Sequence, residues 1–312
     1  MKTSAPAKVI LFGEHAVVYG RPALAVPVTQ VHGDVEVTDS PRAGIWINAP
    51  DINLHAELTS LPTDHPIAAV INRLFPHPNL SLLGRGQGEG LEINISSSIP
   101  VASGLGSGAA VSVALTRALA SYLGQSLTDQ EINELVFEVE KLHHGTPSGI
   151  DNTVITYAKP VFFIKGRPIE TFRVGKPFTI VIGDTGIPAL TKESVGDVRK
   201  LWTEDKGKLE KIFDEIGQIS STARRCIENG EAESLGELMD QNHALLQKLT
   251  VSSLELDELV RAARNTGASG AKMSGGGRGG NMIALVEKEK AETVANALVS
   301  AGAKGTIITE IT

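Results

Sequence analysis

The stretch Ile99–Leu115 reads Ile-Pro-Val-Ala-Ser-Gly-Leu-Gly-Ser-Gly-Ala-Ala-Val-Ser-Val-Ala-Leu and decides how the rest of the chain is interpreted. It predicts a turn rich in Gly and Ser that leads directly into an Ala-rich helix. Backbone N–H groups at a helix start have no partner within the helix, and the helix dipole favours negative charge there. Gly104, Gly106 and Gly108 would let an anion approach the backbone closely. The stretch therefore predicts either a phosphate-binding loop or an ordinary turn that binds nothing.

Two common nucleotide-binding loops do not match these glycines. No Lys-Ser or Lys-Thr pair follows Gly108, so the stretch is not a Walker A loop. A second glycine cluster, Ser274–Gly280, contains a Gly-x-Gly-x-x-Gly spacing. It is predicted to lie between two strands rather than to open a helix, which disfavours a dinucleotide-binding motif.

The composition is that of an ordinary globular protein, with 41% hydrophobic and 21% charged residues among 312. This length predicts two domains or one large one. The net charge of −7 argues against nucleic acid as the main partner. The single cysteine, Cys226, excludes an internal disulfide and disfavours a cysteine-based metal site. Without a signal peptide or an apolar run of about 18 residues, we expect a cytoplasmic protein with no membrane span.

The N-terminal part combines apolar runs with three polar residues. Lys8–Phe12 predicts a short buried strand, Gly13–His15 interrupts it, and Ala16–Tyr19 predicts that the strand resumes before Ala23–Val28. Lys8, Glu14 and His15 need partners if they are buried. The pattern therefore indicates either surface charges on an edge strand or a functional site.

Helical and strand patterns surround the Gly/Ser turn. His65–Phe75 has helical apolar spacing, and Leu91–Ile95 alternates as a half-buried strand that enters the turn. The helix after the turn is predicted to run to about Leu123, with Gly124 as its stop. Gly84–Gly90 is predicted to be an exposed loop.

A capping box at Thr128–Glu131 predicts the start of the next helix. Its apolar stripe comprises Ile132, Leu135, Val136, Val139 and Leu142.

At helical spacing, Glu140 lies just beyond the edge of that stripe, where it can reach a cleft, whereas Lys141 faces solvent. The helix is predicted to end at Gly145, and a polar turn then leads into a predicted strand, Val154–Tyr157. Asp151 within this region is either a catalytic base or a turn residue that caps its own backbone.

The composition loosens near Lys165–Gly175, which places the domain boundary between residues 170 and 171. The expected domains are therefore 1–170 and 171–312. In the second half, strands alternate with paired helices, which predicts an α+β sandwich. The predicted strands are Phe178–Ile182, Asn281–Val286 and Gly305–Ile311, and the predicted helices are one or two in Thr191–Ile227, then Glu231–Leu249, Leu254–Thr266 and Lys288–Ala301.

Two glycine-rich turns, a Lys, an isolated Glu and an Asp are the parts that phosphoryl transfer requires. Three segments together resemble the motifs of the GHMP kinases: Ser4–Gly20, the Ile99–Leu115 stretch, and Lys272–Gly277. The resemblance extends over the whole chain. Within the family the sequence is most similar to the members that phosphorylate mevalonate, since Gly13–Val18 reads Gly-Glu-His-Ala-Val-Val.

The resemblance implies a two-domain fold, with an N-terminal α/β domain containing a left-handed βαβ unit and a C-terminal ferredoxin-like α/β sandwich. It implies ATP-dependent phosphorylation of the mevalonate C5 hydroxyl with Mg²⁺, often by a homodimer. Asp151 would be the base and Lys8 would lie beside it, so both are the implied catalytic residues. Lys8, Glu14, His15, Asp151 and Thr191 would bind the acceptor, and Glu140 and Ser107 would bind Mg²⁺. The ATP phosphates would be held by Pro100, Val101, Ala102, Ser103, Gly104, Leu105, Gly106, Ser107, Gly108, Ala109 and Ala110.

The sequence departs from the family pattern at two places. Gly108 stands where a Ser usually helps to bind Mg²⁺, and Ser107 or a water would have to replace it. Arg278 and Asn281 interrupt the third motif, and Arg278 is either a solvated loop residue or an added phosphate contact. The remaining alternatives are a related kinase acting on phosphomevalonate or a sugar, and a non-catalytic ligand sensor of the same fold.

Overall fold

A computed structural model describes residues 1–75, 90–100, 103–144, 147–168, 170–189 and 191–312. The chain forms two compact units built from alternating segments. The first unit comprises Met1–Ala7, Val31–Pro100 and Gly106–Ala158, and the second unit comprises Lys8–Gln30, Val101–Leu105 and Lys159–Thr312. The sequence predicted two continuous domains that meet between residues 170 and 171. The two compact units are divided differently along the chain, and the domain boundary stays a prediction.

The strands are β1 (Lys2–Phe12), β2 (Ala23–Ser40), β3 (Gly44–Ala49), β4 (Leu54–Glu57), β5 (Gly90–Ser97), β6 (Val161–Phe163), β7 (Glu170–Thr171), β8 (Phe178–Asp184), β9 (Gly270–Ser274), β10 (Asn281–Val286) and β11 (Gly305–Ile311). The helices are α1 (Pro66–Leu74), α2 (Ser107–Tyr122), α3 (Asp129–His144), α4 (Ile150–Tyr157), α5 (Thr191–Glu204), α6 (Lys206–Asn229), α7 (Leu235–Lys248), α8 (Leu254–Asn265) and α9 (Ala291–Ser300). No helix in the described ranges is both long and apolar enough to cross a bilayer.

In the first unit, helices α1 to α4 pack on one another beside a mixed sheet. The later part of β2 pairs antiparallel with β5, which runs parallel to β3, and β3 pairs antiparallel with β4. β5 forms because Leu91, Ile93 and Ile95 alternate with polar residues and are buried. α2 crosses β2 so closely that a Cβ atom on Gly33 would lie 3.2 Å from the backbone N of Val111. This sheet supports the helix that follows the first glycine turn.

In the second unit, the four-stranded sheet has the order β11-β8-β10-β9, and its neighbours are all antiparallel. Helices α5 to α8 connect β8 to β9, and α9 connects β10 to β11. This is the expected ferredoxin-like arrangement. β10 is buried along its whole length, which explains the continuous apolar run that follows Asn281. The early part of β2 and β6 also pair in this unit, and β6 pairs with β7.

Two predicted strands are wrong. Ala16–Tyr19 is a 3-10 helix, closed by a hydrogen bond from the Gly20 N–H to the Val17 carbonyl at 3.2 Å. Glycines at positive φ on both sides turn the backbone there, and so short an apolar run carries no decisive period.

Val154–Tyr157 belongs to helix α4, although its β-branched residues favour a strand. Gly149 starts this helix in the left-handed region, and the Thr153 hydroxyl donates to its carbonyl at 2.6 Å. Tertiary burial of Ile150, Val154 and Ile155 overrides the local preference.

The other predicted elements largely hold. Thr128 and Glu131 form the capping box, with the Thr128 N–H donating to the Glu131 carboxylate at 2.8 Å. Three of the five stripe residues of α3 are buried, whereas Leu142 is 50% exposed because the stripe ends before it. The predicted loop before Gly90 and the end of α3 at Gly145 lie outside the described residues.

Candidate functional site

Lys8 attaches strand β1 to the first glycine turn. Its side chain is buried, and its Nζ donates to the Gly104 carbonyl at 3.0 Å. The Lys8 backbone N–H donates to the Leu105 carbonyl, also at 3.0 Å. The turn is therefore fixed to β1 through both the side chain and the backbone of one lysine. Val101 and Ala102, which were predicted to belong to the same loop, lie outside the described residues.

The turn continues into α2 with the geometry that an anion-binding loop requires. Gly104 and Gly106 have φ values of 85° and 78°, and Gly106 is the residue immediately before the helix. At the start of α2, Ser107 is half-buried and Gly108 is exposed, whereas the next two residues, Ala109 and Ala110, are buried. A Cβ atom on Gly104 or Gly108 would have no described atom within 4 Å. The start of this helix is thus accessible, as a phosphate-binding loop needs.

Glu14 and Lys272 form a buried ion pair in the second unit. Both side chains are almost fully buried, and the Lys272 Nζ donates to Glu14 Oε1 and, at 2.6 Å, to the Met273 carbonyl. Burial raises the pKa of Glu14, and the adjacent Lys272 opposes this rise. Burial likewise lowers the pKa of Lys272, against the effect of Glu14. Each charge therefore depends on the other to remain inside the protein.

His15 is held in a strained backbone conformation beside this pair. Its φ of 61° is in the left-handed region, and its Nε2 lies 3.0 Å from the Gly276 carbonyl. Burial lowers the pKa of His15 to about 4, so the ring is neutral at pH 7. Because a carbonyl only accepts, Nε2 carries the proton and donates, which makes Nδ1 an acceptor.

Two buried atoms of these neighbouring residues have no hydrogen-bond partner among the described residues, His15 Nδ1 and Glu14 Oε2. Buried polar atoms in folded proteins are nearly always paired, with water or a ligand where the protein offers nothing. With Glu14 ionised beside Lys272, both atoms are acceptors. A ligand that carries hydroxyl groups has the chemistry to satisfy them.

Thr191 lies against the same glycine turn. It is the first residue of α5, and a Cβ atom on Gly276 would be 2.5 Å from its Oγ1. Gly276 is also the residue whose carbonyl accepts from His15. The structure thus brings together three residues that the sequence placed at the acceptor site, Glu14, His15 and Thr191.

The remaining predicted site residues lie in the first unit. Ser107, Glu140 and Asp151 are on α2, α3 and α4, and these three helices pack on one another. Glu140 is buried and Lys141 is exposed, as the helical spacing predicted. Asp151 is half-buried in the first turn of α4. Its adjacency to Lys8 stays a prediction.

The chemistry of Ser107 and Glu140 fits Mg²⁺. Both offer oxygen, the donor that Mg²⁺ prefers, and Glu140 supplies a carboxylate at the edge of a packed helix. The described residues contain no group of three or more His, Cys, Asp or Glu side chains that could hold a metal ion by themselves. Mg²⁺ is commonly held by one or two carboxylates together with phosphate oxygens and water. These two residues therefore suit an ion that arrives with a nucleotide.

Sequence reasoning missed the partners that organise the second glycine cluster. Lys272 interrupts a buried apolar strand, and that position alone signals a need for a counter-charge. Asn281 Nδ2 donates to the Ser103 carbonyl at 2.5 Å and so ties the two glycine turns together. The guanidinium of Arg278 is ion-paired with Asp197 at 2.5 Å, a partner that neither of the roles left open for it included.

Two family models match the chain. The model described as GHMP kinases N terminal domain matches residues 67–159, and the model described as GHMP kinases C terminal matches residues 223–304. The matched segments include the first glycine turn and the second glycine cluster.

Similar proteins align with the chain over almost its full length. The mevalonate kinase of Pyrococcus horikoshii is 39% identical, with 96% of this chain and 92% of that relative covered. The mevalonate kinase of Pyrococcus furiosus is 40% identical, with 99% and 95% covered. Among solved structures, the mevalonate kinase of L. major in complex with R-mevalonate is 29% identical, with a TM-score of 0.85 and 100% and 96% covered.

Removing one partner of the buried Glu14–Lys272 pair should destabilise the protein. Lys272→Met leaves Glu14 buried without its counter-charge, and we expect the free energy of unfolding to fall by about 3–5 kcal/mol. Urea denaturation followed by circular dichroism measures this change. The double variant Lys272→Met/Glu14→Gln removes both charges and should recover most of the loss.

Lys290→Met is the matched control, because it breaks a half-exposed pair with Glu287. We expect that substitution to change the unfolding free energy by less than about 1 kcal/mol. If Lys272→Met and Lys290→Met lowered the free energy of unfolding equally, the buried pair would be no more important for stability than an exposed one.

Proposed function

Because the chain belongs to the GHMP kinase family, we propose that it transfers the terminal phosphoryl group of ATP to the C5 hydroxyl of mevalonate, giving 5-phosphomevalonate. The observation that carries the proposal is the near-complete alignment with mevalonate kinases. The residues proposed to bind mevalonate support this. Glu14 and His15 each have a buried hydrogen-bond acceptor without a partner among the described residues, which suits a ligand that carries hydroxyl groups.

In this mechanism, positioning and charge stabilisation supply most of the catalysis. The segment Pro100–Ala110 holds the ATP phosphates through backbone N–H groups at the start of α2. Glu14, His15 and Thr191 hold mevalonate. Asp151 orients the attacking hydroxyl and accepts its proton. Lys8 stabilises negative charge on the transferred group.

Ser107 and Glu140 would hold the Mg²⁺ ion that accompanies ATP, and this ion neutralises charge on the phosphate oxygens when it is bound. We also propose, by analogy with the family, a homodimeric cytoplasmic enzyme. Its partners are then ATP, mevalonate and a second copy of the chain.

The acceptor is tested by a substrate panel. We expect ADP release with ATP, Mg²⁺ and mevalonate, and much slower release with phosphomevalonate, galactose or homoserine, followed in a coupled assay. Turnover of another acceptor in preference to mevalonate would indicate a different GHMP kinase. No turnover of any acceptor, with ligand binding retained, would indicate a sensor of the same fold.

The role of Asp151 is tested by Asp151→Asn, which keeps the shape of the side chain and removes its basicity. We expect kcat to fall by about 10²- to 10⁴-fold, with the KM for ATP little changed. Asp129→Asn provides the control, since Asp129 is an exposed carboxylate of the same unit. An unchanged kcat in Asp151→Asn would remove this residue from the mechanism.

Gly108 allows a direct test of the metal site. A Cβ atom there meets no described atom within 4 Å, so Gly108→Ser introduces a hydroxyl without a clash. If Gly108 weakens Mg²⁺ binding, the substitution lowers the Mg²⁺ concentration required for half-maximal rate. Gly305→Ser, at an equally open glycine in β11, should leave that requirement unchanged. A higher requirement in Gly108→Ser would contradict the assignment.

A further inference from the structure

Arg278 occupies a backbone conformation that normally favours glycine. Its φ is 57°, and its neighbours Gly277 and Gly279 also have positive φ, at 79° and 142°. A side chain in this region is strained and persists only where the surrounding structure holds it. Here the Arg278 N–H donates to the Val251 carbonyl at 2.8 Å. The turn is thus fixed at a position where an arginine adopts a conformation that favours glycine.

The guanidinium of Arg278 joins two further segments to this turn. Its Nε donates to the Thr250 carbonyl at 3.3 Å, and its Nη1 is paired with Asp197 Oδ2 at 2.5 Å. Thr250 connects α7 to α8, and Asp197 lies in the second turn of α5. These contacts commit the guanidinium to protein partners, which argues against a role in holding phosphate.

The same turn contacts α5 a second time. Thr191, at the start of that helix, lies against Gly276, and Asp197 lies six residues further along. Helix α5 is therefore attached to the turn by the Thr191–Gly276 contact and by the Asp197–Arg278 pair. The Gly276 carbonyl also accepts a hydrogen bond from His15. The two attachments therefore affect the positions of Thr191 and His15, two residues of the proposed acceptor site.

We propose that Arg278 is a positioning residue whose ion pair with Asp197 fixes the first turns of α5 against the glycine turn. The pair thereby sets the position of Thr191 and of the Gly276 carbonyl that orients His15. The proposed effect on catalysis rests on the proposed function, in which Thr191 and His15 hold mevalonate. Arg278 then tunes binding of the phosphoryl acceptor and leaves ATP binding untouched.

The solvent exposure of the Arg278–Asp197 pair determines whether its effect is measurable in protein stability or in kinetics. The side chains of Arg278 and Asp197 are 35% and 37% exposed, so their pairing adds little to global stability and is screened by salt. Hydrogen bonds from Lys200 and Arg278 lower the pKa of Asp197 to about 2, so the pair stays charged at the pH of any kinase assay. Its contribution is expected in local geometry and in KM rather than in the unfolding midpoint.

The kinetic test compares Arg278→Gln with Lys200→Gln. Lys200 also pairs with Asp197, at 2.9 Å, but within α5, so its removal leaves the attachment to the turn intact. We expect Arg278→Gln to raise the KM for mevalonate about three- to tenfold, with kcat and the KM for ATP within about twofold of wild type. Lys200→Gln should leave all three parameters unchanged.

Ionic strength and charge exchange separate positioning from general destabilisation. Added salt should raise the mevalonate KM of the wild type by a larger factor than that of Arg278→Gln, because only the wild type has the pair to screen. The exchanged double variant Arg278→Asp/Asp197→Arg should recover part of the loss. A rise in the KM for ATP alone would overturn the proposal in favour of a phosphate contact.

Hydrogen exchange tests the attachment without any catalytic measurement. In the ligand-free protein, amides of residues 195–198, whose hydrogen bonds close the first turn of α5, should exchange faster in Arg278→Gln than in wild type or Lys200→Gln. If the wild type fails to phosphorylate mevalonate but this difference is seen, the attachment stands and the proposed function fails. Unchanged exchange in Arg278→Gln would overturn the attachment itself.

Discussion

The buried pair of Glu14 and Lys272 is the interaction on which the proposed acceptor site depends. It joins the segment that follows β1 to strand β9, two parts of the second unit that are 258 residues apart in sequence. An isolated charge at either position would be too costly to bury, so each charge stays buried only beside the other. The bond from Lys272 to the Met273 carbonyl also fixes the end of β9, where the second glycine turn begins. His15 contacts that turn, so the position of its ring depends indirectly on the charge of Lys272.

Backbone strain is concentrated around the same turn. His15, Thr250 and Arg278 have φ values near 60°, and the bonds described above tie each of them to the turn or to a residue within it. Such conformations persist only where several contacts hold them. The glycines are needed for close approach: a Cβ atom on Gly277 would lie 2.0 Å from the Val251 carbonyl oxygen. The turn is consequently held by its neighbours on several sides, which is what a site that orients a small flexible substrate requires.

Much of this arrangement could be predicted from the sequence, and the reason differs from one feature to the next. Glycine spacing reports backbone geometry directly, so the first turn and its helix were predicted correctly. Alternation of apolar residues predicted β5, and burial at helical spacing predicted that Glu140 lies beside the core. The predictions for Ala16–Tyr19 and Val154–Tyr157 were wrong because such short runs of β-branched residues are compatible with either strand or helix. Tertiary contacts determine their helical conformation.

The partners of buried charges were the hardest feature to predict, because pairing across hundreds of residues leaves no local pattern. Lys272 in an apolar strand signals that a carboxylate must be near, but it does not identify Glu14. The same limit applies to Arg278, whose position in a glycine turn left open a solvated loop residue or a phosphate contact and did not identify its partner Asp197.

His243 shows how the structure supports β9 beyond the charged pair. Its Nδ1 accepts from the Met273 N–H at 3.3 Å, its Nε2 lies 3.1 Å from Asp257, and the Ser252 hydroxyl donates to the same carboxylate at 2.5 Å. Burial lowers the pKa of His243 to about 4, as it does for His15. In each neutral ring Nδ1 is unprotonated: His243 Nδ1 accepts a backbone N–H, and His15 Nδ1 has no partner among the described residues. Burial therefore keeps both histidines neutral, so that each serves as a fixed hydrogen-bonding group.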